Sequence, residues 1–381
     1  MNTKINDYDY FLPPELVAQY PLSQRDASRL LILNRAGGEI GHASFRDLPR
    51  YLDPNDLLVL NDTRVFPARL HGKKASGGKI ELLLHHLPER EGEEIPGGGK
   101  KCGTAAPGCS GAGGGACSAS SPSNPPLKSA RAKATYRGRL RQGQELVFGE
   151  KLRGEVISLP QAGVAEVRFR SLNGSDPSQL VMAQGEVPLP PYIQRSPEES
   201  DQERYQTVYA SRVGAIACPT AGLHFTGAVM GDLAARGIET VSLTLHVGPG
   251  TFMPVREEDY TRHQLQPEYF ELSQAAAQRL NAAKAQGKRL VAVGTTSVRV
   301  LEYCAGPQGF TPQSGWCDLY IHPGYTFRAV DRLLTNFHLP KSTLLLLVSA
   351  FAGRDLIMKA YEKAVKEKYR FYSYGDCMLI L

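Results

Sequence analysis

Apolar positions in this chain gather in short unbroken runs separated by polar, glycine-rich stretches. RLLIL (29–33), DLLVL (56–60), GAIAC (214–218), TVSLTL (240–245), RLVAV (289–293) and DLYIH (318–322) are the clearest. Unbroken rather than alternating apolar runs mark strands covered on both faces, as in a parallel sheet. A helix is predicted from Ser273, a good N-cap, through AAAQRLNAAKAQ to Gly287 at the C′ position. Strand, helix and strand in succession imply a right-handed parallel crossover. This grammar holds before about Val65 and after about Pro188, so residues 1–65 and 188–381 are predicted to form one α/β domain, a mostly parallel αβα sandwich.

Between these parts the pattern changes. KIELLLHHL, ELVFGEKLRGEVISL and VAEVRFRSL are short β-like stretches broken by Gly and Pro. They predict a small β-barrel domain over 66–187, inserted into the sandwich. Within it, Gly, Pro and Ser fill almost half of residues 91–135, where Ile95 and Leu127 are the large apolar side chains. Such a segment cannot bury a core and is expected to be a disordered loop.

Composition narrows the classes. The 381 residues are 42% hydrophobic and 22% charged, which excludes collagen, coiled coil and wholesale disorder. The apolar run from Leu344 to Ala352 is about half the roughly 20 residues a membrane span needs, so it is read as a core segment. The opening MNTKINDYDYF has no basic region followed by an apolar one, and the expected location is the cytoplasm. Seven cysteines without CxxC spacing indicate neither disulfides nor a metal site. A net charge of +6 suits a polyanionic partner.

Several predicted strands end in polar and glycine clusters: NDTR (61–64), PTAGLHFT (219–226), HVGPGTF (246–252), GTTSVR (294–299) and HPGY (322–325). In an open α/β sheet the carboxyl ends of the strands share one edge, where ligands bind. In GTTSVR the hydroxyls of Thr295, Thr296 and Ser297 and the guanidinium of Arg299 meet the free N–H groups of a helix start, a combination suited to an anion. His224 and His246 follow strand ends, where an imidazole serves as acid or base. TNFHLPKST (335–343) sets Asn336, His338 and Lys341 before another helix. No GxxxxGK[ST], GxGxxG, HExxH or GxSxG occurs in the expected context, so kinase, dehydrogenase, zincin and α/β-hydrolase readings lose most of their support.

Taken in order, YFLPPELVAQYP, RDASRLLIL, LNDTRVFPARLHG, PLPPYIQR with RYQTVYA, PTAGLHFT, LHVGPGTF, VGTTSVRVLE, TNFHLPKSTLLLLVSAFAG and YRFYSYGDCMLI resemble the S-adenosylmethionine:tRNA ribosyltransferase-isomerase family of queuosine biosynthesis. The resemblance covers nearly the whole chain outside 91–135. It implies an α/β sandwich interrupted by a small β-barrel, and a transfer that needs no cofactor because S-adenosylmethionine is itself a substrate. The ribosyl portion moves onto 7-aminomethyl-7-deazaguanine at the wobble position of tRNA, giving epoxyqueuosine, adenine and methionine. The sulfonium acidifies the adjacent ribose carbon, so a base, an acid for adenine and an anchor for the methionine carboxylate are needed.

On that implication His224 and His246 are the expected proton-transfer groups. Thr295, Thr296, Ser297 and Arg299 are expected to anchor the carboxylate. Asn61, Asp62 and Arg64 would hold sugar or base edges, and Asn336 and His338 the adenosyl group. Lys341, with Arg137, Arg139 and Arg141 of the basic stretch KSARAKATYRGRLR, would meet RNA phosphate. The expected working state is a monomer off the membrane. Three positions depart from the family pattern: Gln266 replaces the second histidine of HxxHxE after His263, leaving Glu268; Pro249 stands where leucine is more usual; and the barrel lacks its tryptophan, Trp316 being the sole one. Two alternatives are an RNA methyltransferase, which lacks its usual glycine-rich loop here, and a non-catalytic tRNA-binding protein, which would not need dense polar clusters.

Overall fold

A computed structural model describes residues 3–90, 129–252 and 255–381. In chain order the first strands are β1 (Arg29–Leu33), β2 (Ile40–Ser44), β3 (Asp56–Asn61), β4 (Thr63–Val65), β5 (Arg69–Lys74), β6 (Lys79–Leu84), β7 (Glu89–Arg90), β8 (Ser129–Arg137), β9 (Glu145–Phe148), β10 (Leu152–Gln161) and β11 (Val164–Ser171). They are followed by β12 (Arg212–Ala215), β13 (Glu239–Leu245), β14 (Glu268–Leu272), β15 (Arg289–Val293), β16 (Ala305–Gly306), β17 (Gly309–Phe310), β18 (Gln313–Cys317), β19 (Arg332–Asn336) and β20 (Cys377–Ile380). The helices are α1 (Pro177–Gln184), α2 (Asp201–Arg204), α3 (Gly227–Ala235), α4 (Gln274–Ala285), α5 (Thr295–Cys304), α6 (Thr343–Ala352) and α7 (Arg354–Lys366). Contacts divide the chain into a larger unit, Met1–Arg69 with Leu83–His86 and Gly185–Leu381, and a smaller one, Leu70–Leu82 with Leu87–Gln184.

The larger unit is built on a nine-stranded sheet in the order β18-β14-β13-β3-β15-β19-β20-β1-β2. Its centre, β13, β3, β15 and β19, is parallel. Antiparallel strands flank it, with β14 beside β13 and β20 beside β19. Successive side chains of the central strands enter two different cores, which is why their sequences are apolar throughout rather than alternating. Leu57, Val59, Leu290 and Ala292 join α4, α5, α6 and α7 on one face, whereas Leu58, Leu60, Val291 and Val293 meet α3 and Phe45 on the other.

Local signals decide several boundaries. Ser273 Oγ accepts from the Ala276 N–H and Gly287 takes φ +72°, so α4 starts and stops where its sequence predicts. Two predicted strands fall elsewhere. GAIAC contributes β12, which pairs with β4 outside the central sheet, and DLYIH has no strand, the ladder being made by the preceding QSGWC of β18. Apolar content alone does not say which run finds a partner.

In the smaller unit β11-β10-β9-β5-β6-β8 follow one another, and β8 pairs back onto β11, closing a six-stranded barrel. Ala130, Ala132 and Ala134 on β8 point inward with Val156, Val167, Phe148 and Phe169. Small and large residues thereby share a narrow interior. Residues 129–135, read from sequence as the tail of the insertion, form most of β8; the part of the expected loop before them lies outside the described residues.

At the amino ends of three parallel strands a fully buried carboxylate holds two guanidiniums. Asp56 of β3 accepts from Arg289 Nε of β15 at 2.7 Å and from Arg332 Nη1 of β19 at 2.8 Å, and also from the Asp53 N–H at 3.0 Å. Asp56→Ala is expected to destabilise the unit by about 3 kcal/mol, the scale of a broken buried ion pair, read as a lower denaturant midpoint at unchanged slope. A loss no larger than that of an exposed pair, under about 1 kcal/mol, would refute the clasp.

Candidate active site

The four parallel strands end side by side, and each delivers polar groups to the same sheet edge. β3 ends at Asn61, β13 leads into His246, β15 into the Gly294 turn, and β19 ends at Asn336. Gly294 adopts φ +88° as the chain reverses from β15 into α5, a conformation that favours glycine. Two small neighbouring cavities open here. One is bordered by Thr220, Val247, Thr295, Thr296, Thr335, Asn336 and His338, and the other by Leu265, Thr295, Thr296, Arg299, Tyr320 and Leu344. Among the clusters predicted at strand ends, HPGY has no strand before it, and PTAGLHFT follows β12, which lies outside the central sheet.

Several residues expected to touch substrate are instead committed to the framework. Asn61 is fully buried; its amide gives hydrogen bonds to Leu245 O at 3.0 Å and Thr296 Oγ1 at 3.2 Å and accepts from Leu245 N and Thr63 N. Ser297 Oγ donates to Val293 O at 2.9 Å. Arg299 sits beyond the first turn of α5, buried against Glu268, and donates Nε to Leu319 O at 3.1 Å and Nη2 to Cys317 O at 2.9 Å. Glu268 also accepts from the Gly248 N–H at 2.7 Å. Thr295 and Thr296 remain at both cavities, beside the amino end of α5.

The histidines differ in what they leave free. His246 lies half-buried with Nδ1 2.7 Å from Thr63 Oγ1 and its ring stacked on Tyr269 at 5.7 Å, while Tyr269 meets Trp316 edge-on at 5.9 Å. Among the described residues nothing bonds its Nε2. A Cβ on Gly214 would lie 2.5 Å from that nitrogen, so glycine is what admits the ring. Burial pushes His246 down to about 4, with Asp62 opposing and Arg212 assisting. His224 is 4% exposed and both ring nitrogens are held, Nδ1 at 2.7 Å from Ser28 Oγ and Nε2 at 3.3 Å from Asn336 Nδ2. Desolvation lowers it to about 4 and His338 to about 3. All three imidazoles are neutral at neutral pH, which suits proton acceptance and not donation.

The remaining predicted residues are spread more widely. Asp62 ties the loop after β3 to Thr244 Oγ1 at 2.7 Å and Ser211 Oγ at 3.1 Å. Arg64 is exposed on β4. Lys341, at φ +54°, pairs with Asp9 at 2.8 Å. Arg137 is exposed, with Glu81 4.0 Å away, and Arg139 and Arg141 are exposed in the turn after β8; these three belong to the smaller unit. Ser28, Thr63 and Asp376 were not singled out by sequence. Their role depends on partners remote in the chain, Ser28 standing 196 positions from His224.

A buried histidine with a lowered pKa costs stability as soon as the unfolded chain takes up a proton that the folded one refuses. Stability is therefore complete above the ordinary histidine value of 6.5 and declines as pH falls toward about 4. Urea unfolding from pH 7.5 to 5, above most carboxylate titration, is expected to show a loss approaching about 1.4 kcal/mol per pH unit for each of His224 and His338. A level profile across that window would mean these rings accept protons in the fold.

A family model described as "Queuosine biosynthesis protein" matches residues 5–380. An S-adenosylmethionine:tRNA ribosyltransferase-isomerase of Syntrophotalea carbinolica is 46% identical over 380 residues, covering 99% of this chain and 100% of that protein. Its counterpart of the same name in Symbiobacterium thermophilum is 47% identical over 382 residues, again 99% of this chain and 100% of the other. Among solved structures, the crystal structure of S-adenosylmethionine tRNA ribosyltransferase from Thermotoga maritima aligns with a TM-score of 0.52 at 34% identity, covering 98% of this chain and 100% of that one. With full-length matches of this kind, the chain belongs to the queuosine biosynthesis protein family.

Proposed function

We propose that this chain is an S-adenosylmethionine:tRNA ribosyltransferase-isomerase. It transfers the ribosyl portion of S-adenosylmethionine to 7-aminomethyl-7-deazaguanine at the tRNA wobble position and isomerises it to epoxyqueuosine, with adenine and methionine as by-products. The observation that carries this reading is a cavity at the carboxyl edge of the sheet bordered by Thr220, Thr295, Thr296 and Thr335 and by Val247, next in the chain to the neutral, half-buried imidazole of His246, in a chain whose full-length relatives bear that name. S-adenosylmethionine enters as a substrate, and the proposal includes no separate cofactor.

In this scheme His246 Nε2 takes the proton from the carbon next to the sulfonium. Thr295, Thr296 and the free N–H groups of the first turn of α5 take the methionine carboxylate. Arg299 supports that turn through Glu268 and the 317–319 carbonyls instead of touching the anion. Asn336 and His338 face the adenosyl group. Arg137, Arg139, Arg141 and Lys341 are proposed to meet RNA phosphate; loss of the three arginines is expected to weaken tRNA binding and flatten its salt dependence. The protein is proposed to act as a cytoplasmic monomer. Among the described residues no helix is long and apolar enough to cross a membrane.

Mass spectrometry after incubation with S-adenosylmethionine and tRNA carrying 7-aminomethyl-7-deazaguanine is expected to find adenine, methionine and epoxyqueuosine. S-adenosylhomocysteine would overturn the reading in favour of methyl transfer, and bound but unmodified tRNA in favour of a binding protein. Because His246 titrates near 4, kcat/KM is expected to keep its value down to about pH 5; an acid limb at 6.5 would assign the base to another group. Gly214→Ala, which drives a methyl into the His246 ring, is expected to lower kcat about a hundredfold, the scale of a lost general base, while leaving the unfolding midpoint near that of the parent.

A further inference from the structure

His224 does not present a free nitrogen, and the hydrogen bonds around it admit one polarity. The amide nitrogen of Asn336 faces two carbonyls, Tyr372 O at 3.0 Å and Asp376 O at 3.4 Å, which only accept. That end of the amide is therefore the NH2 group, whatever the electron distribution of its two heavy atoms. Its third neighbour, His224 Nε2 at 3.3 Å, must then be an acceptor. At the other end Ser28 Oγ donates to Arg25 O at 3.0 Å, so its lone pair is what meets His224 Nδ1 at 2.7 Å. This pattern assigns the proton of the neutral ring to Nδ1. Asp376 supports both ends: its carboxylate accepts from Arg29 N and Arg370 N at 2.8 Å each, and its carbonyl faces Asn336. The RDASR and YGDC motifs thereby come together beneath one amide.

The consequence lies at the opposite atom. Asn336 is 2% exposed, it borders the cavity of Thr220, Thr295, Thr296 and Thr335, and its carbonyl oxygen is buried with no hydrogen-bond partner among the described residues. Buried acceptors are nearly always satisfied, so an orphan at a ligand cavity points to a donor brought by the ligand. Among the described residues no carboxylate borders this cavity, which disfavours an ammonium and leaves a neutral N–H or O–H. We propose that the Ser28 and His224 pair is a positioning device, holding the Asn336 amide so that its oxygen accepts a neutral donor of the adenosyl group of S-adenosylmethionine. This assigns His224 to orientation instead of the proton transfer that its place in PTAGLHFT suggests, and it rests on the donor substrate proposed above.

The test measures binding without tRNA or turnover. Calorimetry with S-adenosylmethionine is expected to show affinity falling at least tenfold for Asn336→Ala and severalfold for Ser28→Ala, with Ser28→Thr, which keeps the hydroxyl, nearer the parent. Nitrogen-15 NMR of the unsubstituted protein, which needs no variant to fold, is expected to find His224 protonated on Nδ1, and Ser28→Ala to give a mixture of tautomers. Unchanged affinity in Asn336→Ala, or a proton on Nε2 in the parent protein, overturns the device. Normal S-adenosylmethionine binding with no adenine release on adding tRNA sinks the ribosyl-transfer reading and leaves the device standing.

Discussion

The buried ion pair between Glu268 and Arg299 is the constraint on which the site depends. Each group is 5% exposed, and either one alone would carry an uncompensated charge into the core, at a cost of several kcal/mol. Satisfying both requires four pieces of chain to be in place at once. Glu268 comes from β14 and Arg299 from α5; the Gly248 N–H comes from the loop after β13 and the carbonyls of Cys317 and Leu319 from the end of β18 and beyond. The pair thus sets the height of α5 over the sheet, and with it the reach of Thr295 and Thr296. Gln266, two residues before Glu268, lies outside this knot: a Cβ on Gly250 would stand 3.3 Å from its Oε1, which places it against the 249–252 loop. Losing the family's histidine there leaves the ion pair intact.

β3 is fixed at both ends by groups that cannot be left unsatisfied. Asp56 clasps two guanidiniums at its start, and Asn61 spends its amide on β13 and α5 at its end. Between them run four apolar residues divided over two cores. A strand held in this way transmits little slack to Thr63, two residues beyond Asn61, which holds Nδ1 of His246. The polar economy is strict because the sheet is covered on both faces and water is not available to complete it.

Much of the architecture was legible because it is local. RLLIL, DLLVL and RLVAV are strands whose four successive apolar residues are covered on both faces of the sheet, and Ser273 with Gly287 frames α4 through caps that involve only near neighbours. What escaped was the pairing of distant segments. β8 closes the barrel onto β11, and the basic run that looked like the tail of a loop alternates Ala130, Ala132 and Ala134 inward. DLYIH carries three apolar residues in five but forms no ladder. Arg299 beside three hydroxyls has the composition of an anion site, yet its partner Glu268 stands 31 positions earlier and takes the guanidinium. Asn61 and Ser297 were drawn inward in the same way, because a polar side chain next to a buried strand end finds backbone before it finds ligand.

The depressed histidines pose a physical question for the proposed chemistry, since a base with a pKa near 4 is a weak one. Burial lowers the pKa of an imidazolium because it penalises the cation relative to the neutral ring. S-adenosylmethionine is also a cation, and removal of the proton beside its sulfur leaves a neutral ylide. Burial therefore acidifies the substrate for the same reason that it weakens His246. When the proton passes between them the net positive charge moves from substrate to imidazole without changing in number, and the desolvation terms cancel to first order. A charged base such as a carboxylate would instead collapse two opposite charges. Neutral imidazoles, an arginine already paired with Glu268 and a cavity bordered by hydroxyls, with no carboxylate among its described residues, leave a sulfonium there without a neutralising partner, which makes its neighbouring carbon more acidic.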